Sequence, residues 1–135
     1  CGAKNRVPAG RLADEGRCGS CKAPLAPVAE PLDIDPEGFA AVVQEVKVPV
    51  LVDFWASWCG PCRISAPEVE ALAREMAGRA VVLKVDTERH PELAARYGVQ
   101  SIPYFLVLRD GRVVLERTGA VPRTEMRRWL EAAGA

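Results

Sequence analysis

Val50-Leu51-Val52-Asp53-Phe54-Trp55-Ala56-Ser57-Trp58-Cys59-Gly60-Pro61-Cys62-Arg63 decides the reading of this chain. A strand-length, largely apolar run ends in two cysteines spaced as Cys-x-x-Cys, with a glycine and a proline between them. Proline is tolerated in the first turn of a helix, where its missing N–H has no intrahelical partner. The stretch therefore predicts a buried strand over Val50–Trp55 and a helix from Gly60, with Cys59 and Cys62 at the junction. Unsatisfied N–H donors and the positive end of the helix dipole favour thiolate over thiol there, which makes Cys59 the candidate nucleophile. Cys62, one turn on, can attack a mixed disulfide formed on Cys59 and is the candidate resolving thiol. The competing readings are half of a zinc site or a structural disulfide, but the other Cys-x-x-Cys, Cys18-Gly19-Ser20-Cys21, is far away in sequence and has Cys1 as its own candidate partner.

Outward from this stretch, the chain reads as alternating elements. Asp35-Pro36-Glu37 is an N-cap followed by a first-turn proline and an acid, and Phe39, Val42, Val43 and Val46 then recur at helical spacing. Val69, Leu72, Ala73 and Met76 mark the buried face of the helix from Gly60. Ala80–Val85 predicts the next strand, and His90-Pro91 opens a short helix ending near Tyr97-Gly98. Tyr104–Leu108 and Arg112–Arg117 flank Asp110-Gly111, a hairpin signal. Met126, Trp129, Leu130 and Ala133 form the stripe of a last helix. This order specifies an α/β fold, a mixed central sheet with helices on both faces.

Residues 1 to 29 differ. They hold three of the five cysteines and no sustained period, so they cannot build a core and require a cross-link. The 135 residues carry equal numbers of acidic and basic side chains, which removes the electrostatic footprint expected for nucleic acid. The apolar runs are strand-length, so no membrane span and no signal peptide are expected. An odd cysteine count argues against a fully paired secreted framework and points to thiols plus a metal in a cytoplasm.

Asp53 through Arg63, with Pro67 on the same helix, resembles the active-site segment of thioredoxins, and Ile102-Pro103 and Gly119-Ala120 fall where that family has its substrate-loop proline and a glycine beside the site. The resemblance covers residues 30–135, implied to be a thioredoxin domain. Residues 1–29 are similar to the zinc-binding extension of the bacterial thioredoxin-2 type, with Cys1 as the second cysteine of a first pair. The resemblance implies a protein-disulfide reductase acting through Cys59 and Cys62, with a cis Ile102–Pro103 bond. Trp58, Gly60, Pro61, Ile102, Pro103 and Gly119 would contact substrate, the loop pairing with it as an added strand. Protein disulfides and a flavin-dependent thioredoxin reductase are the implied partners of a monomer. One structural zinc is expected on Cys1, Cys18 and Cys21, its fourth ligand a cysteine upstream of Cys1 or, failing that, water or Asp14. Tyr104 departs from the threonine usual after the loop proline.

Asp53 in an apolar strand should be desolvated, with a raised pKa, and is assigned proton transfer; Lys84 is its charged neighbour by resemblance. His90 is expected to be a solvated cap. Two alternatives remain: an exported, membrane-tethered redox protein, since cysteine begins mature bacterial lipoproteins, and a zinc-dependent binding module with an incidental dithiol.

Overall fold

The structure, a computed structural model, describes residues 5–135; Cys1, the expected first zinc ligand, lies outside the described residues. A short 3-10 turn over Ala9–Arg11 precedes a two-stranded antiparallel ribbon, β1 (Gly16–Arg17) with β2 (Pro24–Leu25). Then come β3 (Leu32–Asp33), α1 (Pro36–Glu45), β4 (Val50–Trp55), α2 (Gly60–Glu75), β5 (Val81–Asp86), α3 (Pro91–Arg96), β6 (Tyr104–Arg109), β7 (Arg112–Thr118) and α4 (Arg123–Ala132). The main sheet has the order β3-β5-β4-β6-β7. Its β3/β5/β4 half is parallel and its β4/β6/β7 half antiparallel, as expected of a mixed sheet.

Alternation along the central strands sends successive side chains to opposite faces, and each face has its own core. Val52, Phe54, Leu83 and Leu106 pack with α1 (Phe39, Val42, Val43) and α3 (Leu93) on one side. Leu51, Val82, Phe105 and Val107 pack with α2 (Val69, Leu72, Ala73) and α4 (Met126, Trp129, Leu130) on the other. The local signals act as expected at α1, where the Asp35 carboxylate accepts the Gly38 N–H at 2.7 Å. The Asp110-Gly111 turn has φ values of 53° and 77°, the left-handed pair that a two-residue hairpin requires. His90 departs from its expectation: it occupies the N-cap of α3, but its side chain makes no capping bond and is mostly buried, with Nδ1 3.9 Å from Glu92.

Residues 5–29 contribute Leu12 to the main core, and Ala9, Ala13 and Val28 lean on the same cluster. A Cβ on Gly10 would stand 3.1 Å from the Glu45 carbonyl oxygen and 3.2 Å from its Cβ, so the 3-10 turn sits tightly on the end of α1. The segment has no separate core and borrows that of residues 30–135.

Candidate functional site

The strand β4 delivers its end to the start of α2, and the turn between them positions the dithiol. Cys59 N–H donates to the Ala56 carbonyl at 3.2 Å, fixing the approach, and Arg63 donates to the Ser57 carbonyl at 2.8 Å, closing the loop from the helix side. Cys59 is the N-cap of α2, with extended backbone, and its sulfur accepts the Cys62 N–H at 3.1 Å. A sulfur thus takes the place usually held by a serine or aspartate oxygen at a helix start. The two sulfurs are at disulfide distance, with Cα atoms 5.2 Å apart. Both residues are nearly covered, Cys59 at 3% and Cys62 at 6% exposure.

The Ile102–Pro103 segment faces Cys59. The Ile102–Pro103 peptide is cis, and the Ile102 carbonyl oxygen lies 3.7 Å from the Cys59 sulfur. Gly119 donates its N–H to the Pro103 carbonyl at 2.9 Å, with φ +94°, a left-handed conformation that favours glycine. Trp58 is exposed, as are Gly60 and Pro61, and a Cβ on Gly60 would meet nothing within 4 Å. Sequence reasoning missed Ile64, which is 72% exposed on the first turn of α2. Its signal was an apolar residue off the Val69–Leu72–Ala73–Met76 stripe and beside the dithiol. An unburied Trp and Ile next to a covered disulfide form an apolar rim of the kind that marks a docking face.

Behind the dithiol, Asp53, Lys84, Cys62, Arg63 and Ala66 line a cavity of about 200 Å³. Asp53 is 2% exposed, and its Oδ1 has no hydrogen-bond partner. Burial pushes its carboxyl up to about 7, against a smaller downward pull from the Lys84 ammonium. Lys84 sits beside Asp53 in the β4/β5 register, and its Nζ lies 4.7 Å above the Trp55 ring. The expected placement of Asp53 and Lys84 together is found, and the cavity joins both to Cys62. Tyr104 donates to Glu116 at 2.6 Å, which with partial burial raises the phenol to about 12 and holds it as a neutral donor.

The second Cys-x-x-Cys closes the β1–β2 ribbon. Cys18 N–H bonds to Ala23 O and Lys22 N–H to Cys18 O, with Lys22 at φ 63°. The Cys18 sulfur accepts hydrogen bonds from the Cys21 N–H, the Asn5 side chain and the Ser20 N–H, which pull the thiol down to about 7. Asn5 is itself held by the Gly19 N–H at 2.8 Å. A buried sulfur ringed by N–H donors, next to an exposed Cys21, fits a zinc thiolate. Among the described residues no group of three metal-ligating side chains forms, and Asp14 is bound to Arg11 at 2.6 Å instead of turning toward the cysteines.

Comparison with known proteins yields two family matches: thioredoxin over residues 30–132, and thioredoxin 2, N-terminal, over residues 1–23. Thioredoxin C-3 of Corynebacterium nephridii is 38% identical over 131 residues, spanning 97% of this chain and 89% of that protein. Thioredoxin 1 of a Nostoc species is 45% identical over 93 residues, 69% of this chain and 87% of the relative. A solved point-mutant thioredoxin from Halobacterium salinarum superposes with TM-score 0.75 at 32% identity, covering 82% of this chain and 96% of that one.

Proposed function

The chain belongs to the thioredoxin family and is a thiol-disulfide oxidoreductase, and on that premise we propose the roles of its residues. The reduced Cys59 thiolate attacks one sulfur of a protein disulfide, forming a Cys59–substrate bond and expelling the other substrate sulfur as a thiolate. Cys62 then loses its proton to the Asp53 carboxylate, attacks Cys59 and releases the second substrate thiolate, leaving the Cys59–Cys62 disulfide. The observation that carries this assignment is Cys59 at the helix N-cap, its sulfur accepting the Cys62 N–H and facing the Ile102 carbonyl. Asp53 is the proton acceptor because burial holds it near neutrality and the shared cavity reaches Cys62.

Substrate chains dock on Trp58, Gly60, Pro61 and Ile64 and pair with the backbone at Ile102 and Pro103, where Gly119 keeps the approach open. Protein disulfides are the substrates, and a flavin-dependent thioredoxin reductase resupplies the electrons. We assign residues 30–135 as the thioredoxin domain and 1–29 as a zinc-binding extension in which Cys1, Cys18 and Cys21 hold one structural zinc; the thioredoxin 2 N-terminal match supports this. The metal would supply the cross-link that the extension lacks. Among the described residues no helix is long and apolar enough to cross a membrane, and we place the protein in the cytoplasm as a monomer.

Reduction of insulin disulfides, followed by turbidity, tests the assignment. Cys62→Ser is expected to accumulate mixed disulfides on Cys59. Alkylation of the reduced protein at mildly acidic pH should label Cys59 first, and labelling of Cys62 first would reverse the roles.

A further inference from the structure

Lys84 has two acidic neighbours in register, one on each side. Across the parallel β4/β5 pair it stands opposite Asp53, and across the parallel β3/β5 pair opposite Asp33. Adjacent strands run about 4.8 Å apart and residues in parallel register share a face, so Asp33, Lys84 and Asp53 form one row on the α2 side of the sheet. The cavities repeat this arrangement. Asp33 and Lys84 together line the broad groove between the Pro27–Pro31 segment and α2, while Lys84 and Asp53 line the smaller cavity that reaches Cys62. Asp33 is exposed, Lys84 half-buried and Asp53 buried, so the row runs from solvent to the reacting thiol.

We propose that Asp33 is a positioning residue for proton transfer at Cys62: it competes with Asp53 for the Lys84 ammonium across the edge of the sheet. The proposal rests on the reading of Asp53 as the proton acceptor. The ammonium is available to both sides, since among the described residues Lys84 makes no ion pair within 4.0 Å and lies over the Trp55 ring. Other charges face the same lysine. Glu30 on the Pro27–Pro31 segment and Glu70 and Arg74 on α2 line the outer groove, and Arg63 lines the inner cavity. At the end of β5, the Asp86 carboxylate is occupied by the Glu88 and Arg89 N–H groups, and Asp35 caps α1. His90 and Arg89 close that side as further bases. Only Asp33 and Asp53 are acids in register with Lys84.

The direction of the effect follows from charge. An ionised Asp33 draws the ammonium toward solvent and adds a like charge beside Asp53, and both oppose ionisation of the buried carboxyl. Without that charge, Lys84 serves Asp53 alone, and Asp53 ionises at lower pH.

The test follows the Asp53 carboxyl by carbon-13 NMR through a pH titration of the reduced full chain. Asp33→Asn is expected to lower the Asp53 midpoint by about half a pH unit, allowing for solvent screening of the exposed partner. Asp33→Glu should stay within the error of the parent protein. In a Lys84→Gln background the same Asp33→Asn change should shift the midpoint by less than half as much. No shift in the parent background, or an equal shift with and without Lys84, overturns the proposal. The catalytic reading fails separately: if Asp53→Asn leaves the pH profile of mixed-disulfide resolution unchanged, Asp53 is not the proton acceptor, whatever its titration shows. Under the proposal, Asp33→Asn moves that profile to lower pH in parallel with the NMR midpoint.

Discussion

Two turns in this protein share the pattern Cys-Gly-x-Cys and stand in different surroundings. Cys59-Gly60-Pro61-Cys62 leaves a buried central strand and opens a sixteen-residue helix, so its first sulfur caps the helix and its second belongs to the helix's first turn. Cys18-Gly19-Ser20-Cys21 joins two strands of two residues each, and there the N–H groups of the turn converge on Cys18 while Cys21 is exposed. One turn brings its sulfurs to bonding distance against a cavity holding a carboxyl; the other buries one sulfur among N–H donors and leaves the second exposed. On the proposed assignment, the elements on either side of the spacing, more than the spacing, set whether a thiol pair exchanges disulfides or holds a metal.

The strongest way to break this contrast is to remove one thiol from each turn in separate variants. Cys59→Ser should lower insulin-disulfide turnover roughly a thousandfold or more, as expected for loss of a nucleophile. Cys18→Ser should leave most of that turnover in place. Comparable losses in the two variants would mean that the ribbon takes part in the redox step.

Metal content sharpens the same contrast in the opposite direction. One zinc per chain is expected by mass spectrometry or metal analysis, lost on Cys18→Ser or Cys21→Ser and retained on Cys59→Ser. Chelation should release it and expose thiols of the ribbon to a thiol reagent, leaving the insulin assay active. Zinc that disappears with Cys59→Ser would put the metal at the wrong turn.

Asp53 separates the two turns energetically, because only the dithiol has a buried acid behind it. Its native pKa near 7 lies above the unfolded value near 3.8, so the native state binds more protons between those pH values. Stability from this group is therefore complete below about pH 4 and declines as pH climbs toward 7. At 1.36 kcal/mol per unit the loss is up to about 4 kcal/mol. Asp53→Asn should flatten that decline, raise the denaturation midpoint above pH 7 and slow mixed-disulfide resolution. A lower midpoint at pH 8 would instead identify a carboxylate that the fold requires.

How much of this was legible in the sequence differs between the same two regions. Around the dithiol the periods were long enough to read, and the α1 cap, β4, the helix from Gly60, the Asp110-Gly111 hairpin and the last helix all stand where patterning put them. β1, β2 and β3 did not register, since a two-residue strand has no period; they exist through their partners. Asp33 shares this blindness, because nothing in Leu32-Asp33 shows that it lies beside Lys84 until the register is known. At His90 the reading failed for another reason: position at a helix start says where the backbone is, not where the imidazole goes. Asp53 was readable because a lone acid in an apolar strand is costly wherever the strand is buried.

The smallest expected effect concerns the seam between the regions. Leu12 is 8% exposed and packs into the core formed by α1, α3 and the sheet, making it the residue through which the extension enters the domain. Leu12→Ala removes that side chain from a site whose neighbours, Ala9, Ala13 and Val28, are themselves only partly buried and can relax into the space. The cost should therefore fall at the low end of the range for such truncations, about 2 kcal/mol. In a urea titration of the full chain this lowers the midpoint of the single main transition, while insulin reduction stays unchanged because the dithiol lies on other elements. If Leu12→Ala left the main transition untouched and only loosened zinc binding, the two Cys-x-x-Cys regions would be energetically separate units, and the docking of the 3-10 turn on α1 would contribute nothing to the stability of the domain.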